Sequence, residues 1–282
     1  MPELPEVEVL ARHLLPLLRG RTIRDITVRR PKVLRPTSAA KFARRLRGAK
    51  FLGLTRRGKY LLFELRAKTG GQFTLLGHLG MTGRMYLAPK NEPPAKHAAV
   101  MFDLGNRDFI YDDTRYFGRL TLDLAAVEKL GPEPLGEAFT TSEFARALKK
   151  SRQPIKVKLL DQSVVAGIGN IYASEALFLA GLSPRRAARR LTPPQVEKLR
   201  QAIREVLAQA IAGGSTVPLN FRPHKSDGLF YYGSAAGAPD FYSERLRVYD
   251  RKGLKCWHCG TPIQRIVQAA RSTFFCPRCQ KS

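Results

Sequence analysis

The hydrophobic periodicity of this chain changes once, at Gly131-Pro-Glu-Pro-Leu-Gly136, and that change limits the possible folds more than any other feature. Before it lie short runs rich in β-branched and aromatic residues, at 22–28, 51–55, 60–65, 73–78, 99–104, 109–111 and 120–122. Gly, Pro and Asn clusters separate them, and the proline-bearing stretch 88–96 reads as a surface loop. Many short strands in close succession predict an antiparallel sandwich or barrel. Ahead of them, Val7, Leu10, Leu14, Leu17 and Leu18 recur at helical spacing, so 3–18 reads as an amphipathic helix ended by Gly20. Beyond the change the pattern is helical. Thr192 and Pro193 open the clearest helix, whose apolar face runs from Val196 through Leu199, Ile203 and Leu207 to Ile211 before Gly213-Gly214 closes it. The expected class is α+β and multidomain. An N-terminal antiparallel β-sandwich with an N-terminal helix spans 1–130, a helical domain spans 137–215, and a β-hairpin spans 245–282.

That last segment holds all four cysteines, as Cys256-Trp-His-Cys259 and Cys276-Pro-Arg-Cys279 with 16 residues between the pairs. Two Cys-x-x-Cys pairs at this spacing predict one structural Zn2+ held by four thiolates, with no position left for a reactive water. The alternatives are two disulfides, or His258 in place of one sulfur. The chain carries 49 Lys and Arg against 23 Asp and Glu, a net charge of +26. An excess this large implies a polyanionic partner, and nucleic acid is the first candidate. A membrane surface is the competing polyanion. No apolar run of spanning length, signal-peptide pattern or lipidation motif is visible, so no membrane role is expected and a cytoplasmic protein is. No extended apolar seam is evident, which favours a monomer.

Two segments carry candidate chemistry. The chain begins Met-Pro-Glu-Leu-Pro-Glu-Val-Glu. Removal of Met1 would free the secondary amine of Pro2, with Glu3 and Glu6 close by, the parts needed for imine chemistry at a sugar aldehyde carbon. The plain alternative is that Pro2 and Pro5 simply start a helix. The run from Asp161 to Ala180 reads as a short helix, a tight Gly-Ile-Gly turn and a second helix capped by Asn170. Its free N–H groups would face outward toward phosphate, and the glycines would let a nucleic-acid backbone approach.

In order along the chain come PELPEVE, Arg57-Gly-Lys-Tyr60, His78-Leu-Gly-Met81, Asp113-Thr-Arg-Tyr-Phe-Gly118, the GIGNIYASEAL run and the four-cysteine finger. Together they closely resemble the bacterial formamidopyrimidine-DNA glycosylases, over nearly the whole length. The resemblance implies a helix-two-turns-helix domain, a zinc finger and a bifunctional DNA glycosylase and abasic-site lyase. Its partner would be duplex DNA containing oxidised purines or abasic sites, in a bacterial cytoplasm at the nucleoid. Endonuclease VIII, which prefers oxidised pyrimidines, is the sister group. It typically has Gly at the fourth position, so Leu4 favours the first branch. A non-catalytic damaged-DNA-binding protein is the other alternative, and intact Pro2, Glu3 and Lys59 argue against it.

By resemblance, Pro2 is the Schiff-base nucleophile, Glu3 the acid that opens the sugar and Glu6 a supporting carboxylate. Lys59 contacts phosphate and assists the lyase step, although by composition alone it is a solvated strand-end charge. Asn170 and Arg271 resemble a pair of phosphate clamps, with Arg271 also placed to help the final elimination. Met81, Arg115 and Phe117 resemble the trio that fills the hole left by an extruded base. His78, His97 and Arg152 are further DNA-contact candidates. Residues 216–244 correspond to the loop that closes over the everted base, where Phe230, Tyr231 and Tyr232 either stack on a base or anchor the loop. Asp250 occupies a place where the family commonly has Gly.

Overall fold

The computed structural model describes residues 2–90, 93–215 and 246–281. The proposed lesion loop, with Phe230, Tyr231 and Tyr232, therefore lies outside the described residues. The chain divides into two compact units.

The first unit takes Pro2 and residues 6–128. Its strands are β1 (Asp25–Val28), β2 (Lys50–Arg57), β3 (Tyr60–Arg66), β4 (Gln72–His78), β5 (Gly83–Pro89), β6 (Ala98–Asp103), β7 (Arg107–Asp113) and β8 (Arg119–Thr121). They form two four-stranded sheets, ordered β1-β6-β7-β5 and β2-β3-β4-β8, with every pairing antiparallel. Alternate residues face inward, as the period of a strand requires. Phe51 and Phe63 from one sheet meet Phe109 from the other at centroid separations of 6.2 and 5.7 Å, and Phe102 stacks on Phe109 at 5.5 Å. This aromatic layer is the sandwich core. Helix α1 (Leu4–Leu18) precedes the strands, and Gly20 follows it in the left-handed region at φ +83°. Helix α2 (Ala39–Leu46) buries Phe42 and Leu46 and is capped by Ser38, whose hydroxyl accepts from the Lys41 N–H.

Among the described residues, the second unit takes 3–5, 129–215 and 246–281. Its helices include α3 (Thr141–Lys149), α4 (Ile155–Leu159), α5 (Asn170–Leu179) and α6 (Pro193–Ser215). Leu177, Leu199, Ile203, Leu207 and Phe144 are among the residues of its apolar core. The hairpin β9 (Gln264–Gln268) and β10 (Arg271–Phe275) packs around Val248, Ile263 and Phe274. At the start of α6 the Gln195 side chain accepts from the Thr192 N–H at 3.0 Å, half of a capping box.

The structure corrects the sequence reading at four places. Strand β5 begins inside the Gly-Met-Thr-Gly run, where glycines hid its alternation. Residues 161–169 form turns, and the helix that precedes them lies earlier, at Ile155–Leu159. Helix α6 runs through Gly213-Gly214 to Ser215, because packing of the apolar face outweighs about 1 kcal/mol of glycine penalty per residue. Asn170 is the first helical residue, and the N-cap is Gly169, which offers no side-chain cap.

Candidate active site and nucleic-acid contacts

Within the first unit, Arg57 pairs with Tyr60, so Gly58-Lys59 is a two-residue hairpin turn. Gly58 has φ +57° while Lys59 does not enter the left-handed region, the pattern of a type II′ turn with glycine at its first position. Lys59 is 7% exposed, which excludes the solvated strand-end reading of that lysine. Across from Tyr60 in register is His78, with the rings 4.7 Å apart. The Gly80 N–H donates to His78 Nδ1 at 3.2 Å, which places the ring proton on Nε2. Burial first, then the Lys59 and Arg119 cations, depresses the His78 pKa to about 4. His78 is thus a neutral donor at pH 7, not a cationic phosphate contact.

Beside it stands a buried carboxylate. Asp113 accepts from Thr82 Oγ1 at 2.6 Å, the Gly118 N–H at 2.8 Å and the Arg115 N–H at 3.2 Å. One acceptor therefore ties the turn after β4 to the turn after β7. Gly118 has no room for a side chain, since a Cβ there would lie 1.8 Å from the Tyr111 hydroxyl. The two turns bring Met81, Arg115 and Phe117 together. The Arg115 guanidinium sits 4.7 Å from the Phe117 ring centroid and 3.4 Å from Met81 Sδ. Met81 is 43% and Phe117 54% exposed, which excludes a core role for either. His97 is next to this group, its Nδ1 3.5 Å from the hydroxyl of Tyr116, and Arg30 donates to the same hydroxyl at 3.1 Å. Pro2 and Glu6 are buried at the head of the chain.

Within the second unit the centre is Glu3. Its carboxylate accepts from the N–H groups of Gly169 at 2.8 Å, Ile171 at 2.9 Å and Tyr172 at 3.3 Å, at the amino end of α5. The expected outward-facing phosphate site is therefore already taken by a side chain 166 residues away. The glycines serve the same contact. A Cβ on Gly169 would fall 2.2 Å from the Glu3 carboxyl carbon, and one on Gly167 would fall 2.6 Å from Leu4 Cδ1. They admit the N-terminal segment of this chain rather than a nucleic-acid backbone.

Asn170 faces the finger hairpin and donates from Nδ2 to the Ser272 carbonyl at 2.8 Å. Its Oδ1 accepts from Lys156 Nζ. Lys156, absent from the sequence-level candidates, is fully buried. Burial, then the nearby Arg271 cation, lowers its pKa to about 8, and Glu3 opposes the shift. Its only sequence signal is a charge on the apolar Ile155–Leu159 face. Arg271 opens β10 beside Ala269 and Ala270, whose φ values are +47° and +58°. A type I′ turn built of two alanines is strained, at roughly 1–2 kcal/mol per residue. Arg152 is exposed between α3 and α4 and is not drawn into this group. Glu175, also missed, accepts from the Arg247, Val248 and Tyr249 N–H groups at 2.8–2.9 Å. Next to them, Asp250 has φ +57°, the left-handed geometry for which glycine is the usual solution.

The four cysteine sulfurs all lie within 4.8 Å of one another. Cys256 and Cys279 are 3.9 Å apart and Cys259 and Cys276 3.4 Å apart, too far for disulfides and near the edge of about 3.8 Å that tetrahedral Zn–S bonds require. His258 is exposed and outside the set. These residues fit one structural Zn2+ with all four positions filled. No helix among the described residues is long and apolar enough to cross a membrane.

Three family models cover the chain. Residues 1–120 match the formamidopyrimidine-DNA glycosylase N-terminal domain, 130–220 its H2TH domain, and 253–281 the zinc finger found in FPG and IleRS. The formamidopyrimidine-DNA glycosylase of Thermus thermophilus is 44% identical over 288 residues, covering 99% of this chain and 98% of that protein. That of Carboxydothermus hydrogenoformans is 40% identical over 281 residues and covers both chains completely. Among solved structures, Lactococcus lactis Fpg bound to N7-benzyl-Fapy-dG DNA superposes with a TM-score of 0.87 at 35% identity over the whole of both chains. MutM bound to carbocyclic 8-oxo-G DNA gives 0.87 at 36% identity, also over both whole chains. With matches from end to end and the sandwich, helical domain and four-sulfur finger in place, this chain belongs to the formamidopyrimidine-DNA glycosylase family.

Proposed function

We infer that this protein removes oxidised purines, 8-oxoguanine and formamidopyrimidines, from duplex DNA and then cuts the strand at the resulting abasic site, in the bacterial cytoplasm at the nucleoid. One observation carries the mechanism: the Glu3 carboxylate is fixed by three N–H donors one peptide bond away from Pro2. A rigidly held carboxyl on the residue next to the nucleophile needs little reorganisation to act.

After removal of Met1, the lone pair of Pro2 N attacks deoxyribose C1′. The base departs with the glycosidic electron pair and takes a proton from solvent. The Glu3 carboxylate takes the proton that Pro2 N sheds and passes it to the ring oxygen, and the C1′–O bond breaks as the nitrogen lone pair forms an iminium ion. Because proline nitrogen keeps no hydrogen, this imine is a fixed cation that acidifies C2′. Loss of a C2′ proton expels the 3′ phosphate, and a second elimination expels the 5′ phosphate. Lys59 and Arg271 supply cations for the departing phosphates, Asn170 orients the backbone, and Glu6 holds the N-terminal segment. Met81, Arg115 and Phe117 fill the vacated stack, offsetting an extrusion cost of a few kcal/mol. His78, His97 and Arg152 make lesser DNA contacts, with His78 donating as a neutral ring. The zinc holds the finger fold and takes no part in a step.

Borohydride reduction during turnover on an 8-oxoguanine duplex should fix a covalent protein–DNA adduct, and Pro2→Gly should weaken or abolish it. Thymine glycol duplexes should be nicked more slowly. Mature enzyme that keeps Met1 and nicks at full speed would refute the assignment of Pro2.

A further inference from the structure

A second basic surface lies at the other end of the sandwich from Lys59. In the sheet β2-β3-β4-β8, Tyr60 pairs with Arg57 and His78 at one end, and Arg66 pairs with Lys50 and Gln72 at the other. Six residues of β3 separate these ends, roughly 20 Å at the rise of a strand. At the Arg66 end is a cavity of about 800 Å³, walled by α2 and floored by Phe73 and Leu122. Helix α2 turns Phe42 and Leu46 inward, which leaves Lys41, Arg44 and Arg45 exposed along its outer face. Lys68 closes the rim. The Arg45 guanidinium lies 4.4 Å from the Phe73 ring centroid, which holds it in place.

The electrostatics of this end are unfavourable in isolation. Lys41, Arg44 and Arg45 repel at i, i+3 and i+4 spacing. Lys50 and Arg66 face each other directly across the strands, where like charges destabilise a sheet. Arg47 has Asp25 at 2.7 Å, but among the described residues no carboxylate pairs with Lys41, Arg44, Arg45 or Lys68. A polyanion turns this repulsion into attraction. Arginine forks donate to phosphate oxygens in bidentate fashion, and undamaged DNA surrounds any lesion in large excess.

We propose that this end of the sandwich grips a second, undamaged DNA segment while the damaged duplex occupies the Lys59 end. The enzyme then bridges two segments and passes between them without full release. The proposal rests on the placement of the lesion duplex given above. An acidic protein is the competing occupant.

The test uses the full-length enzyme fixed by borohydride to a short lesion duplex, so that the first position is filled. A second, labelled, undamaged duplex is then titrated in. The adduct should capture it, with log affinity falling by about 0.9 per log unit of salt for each phosphate neutralised. In the triple variant Lys41→Glu, Arg44→Glu and Lys68→Glu, capture should fall at least tenfold, while nicking of a short lesion duplex by the free variant stays at the wild-type rate. The proposal fails if the wild-type adduct ignores the second duplex, or if the variant adduct binds it equally well. It also fails if nicking falls in parallel, which would place these residues on the lesion duplex, or if poly-glutamate displaces the second duplex at equal charge. A chain that forms no adduct breaks the Pro2 assignment instead. The same titration is then run on the complex with a reduced abasic-site duplex, with the same outcomes.

Discussion

Asp113 and Glu3 are both buried carboxylates that collect hydrogen bonds from chain turns, yet they do opposite things with them. Asp113 gathers donors from Thr82, Arg115 and Gly118, all within 36 residues of one another, and the result is an exposed trio of side chains. Glu3 gathers donors from across 166 to 169 residues, and the result is a closed contact at the amino end of a helix. The first arrangement presents side chains at the surface. The second holds the N-terminal segment still. In each case the carboxylate is buried among donors that include backbone N–H groups which would otherwise be unsatisfied.

Four substitutions would break or sharpen that contrast. Glu3→Gln should have the largest effect. Base release and strand scission should fall about 10²- to 10⁴-fold, the usual range for a lost general acid, while undamaged-duplex affinity stays near wild type. A single-turnover nicking assay with a parallel binding titration reads both, and a loss of binding alone would make Glu3 purely structural. Asp113→Ala comes next. It leaves buried N–H groups without an acceptor, at about 1–3 kcal/mol, and should loosen the Met81 and Arg115 turns. Lesion-duplex affinity should drop more than undamaged-duplex affinity, and equal losses would remove the distinction between presenting and holding.

Lys156 offers a test by pH. Its folded pKa of about 8 lies below its unfolded value, so the unfolded chain binds more protons between about pH 8 and pH 10.5. Its contribution to stability therefore rises with pH across that window, and its penalty is fully present below pH 8. In the folded chain the positive charge that holds Asn170 Oδ1 is lost as pH rises through about 8, so kcat/KM should decline there. Lys156→Arg should extend the alkaline limb upward, and an unmoved limb would detach Lys156 from the chemistry. The smallest effect belongs to Ala270→Gly, which relieves a left-handed alanine. It should stabilise the finger by about 0.5–1 kcal/mol in thermal unfolding, with no loss of duplex affinity if Arg271 keeps its place.

The amino-acid sequence alone determined the strand-then-helix order, because periods of two and of 3.6 residues are written in local hydrophobic pattern. It pointed to the metal site as well, and the sulfur separations in the fold removed the disulfide and His258 alternatives. Asp250 was legible as an oddity, and its φ of +57° is the physical content of that oddity. Only the tertiary structure decided what the Gly-Ile-Gly turn is for. The turn meets Glu3 and Leu4, and no local pattern encodes a contact between residue 3 and residue 169. Lys156 was hidden for the same reason: a lysine in an apolar helix becomes a perturbed, hydrogen-bonded cation only when Asn170 and Arg271 are folded against it. Charge counting likewise gave +26 as a sum, whereas the sheet register separates a basic cluster at the α2 end from Lys59 at the other. Local pattern fixes which elements form, because it depends on neighbours along the chain. The chemistry of a side chain depends on what surrounds it in space, and packing alone supplies that.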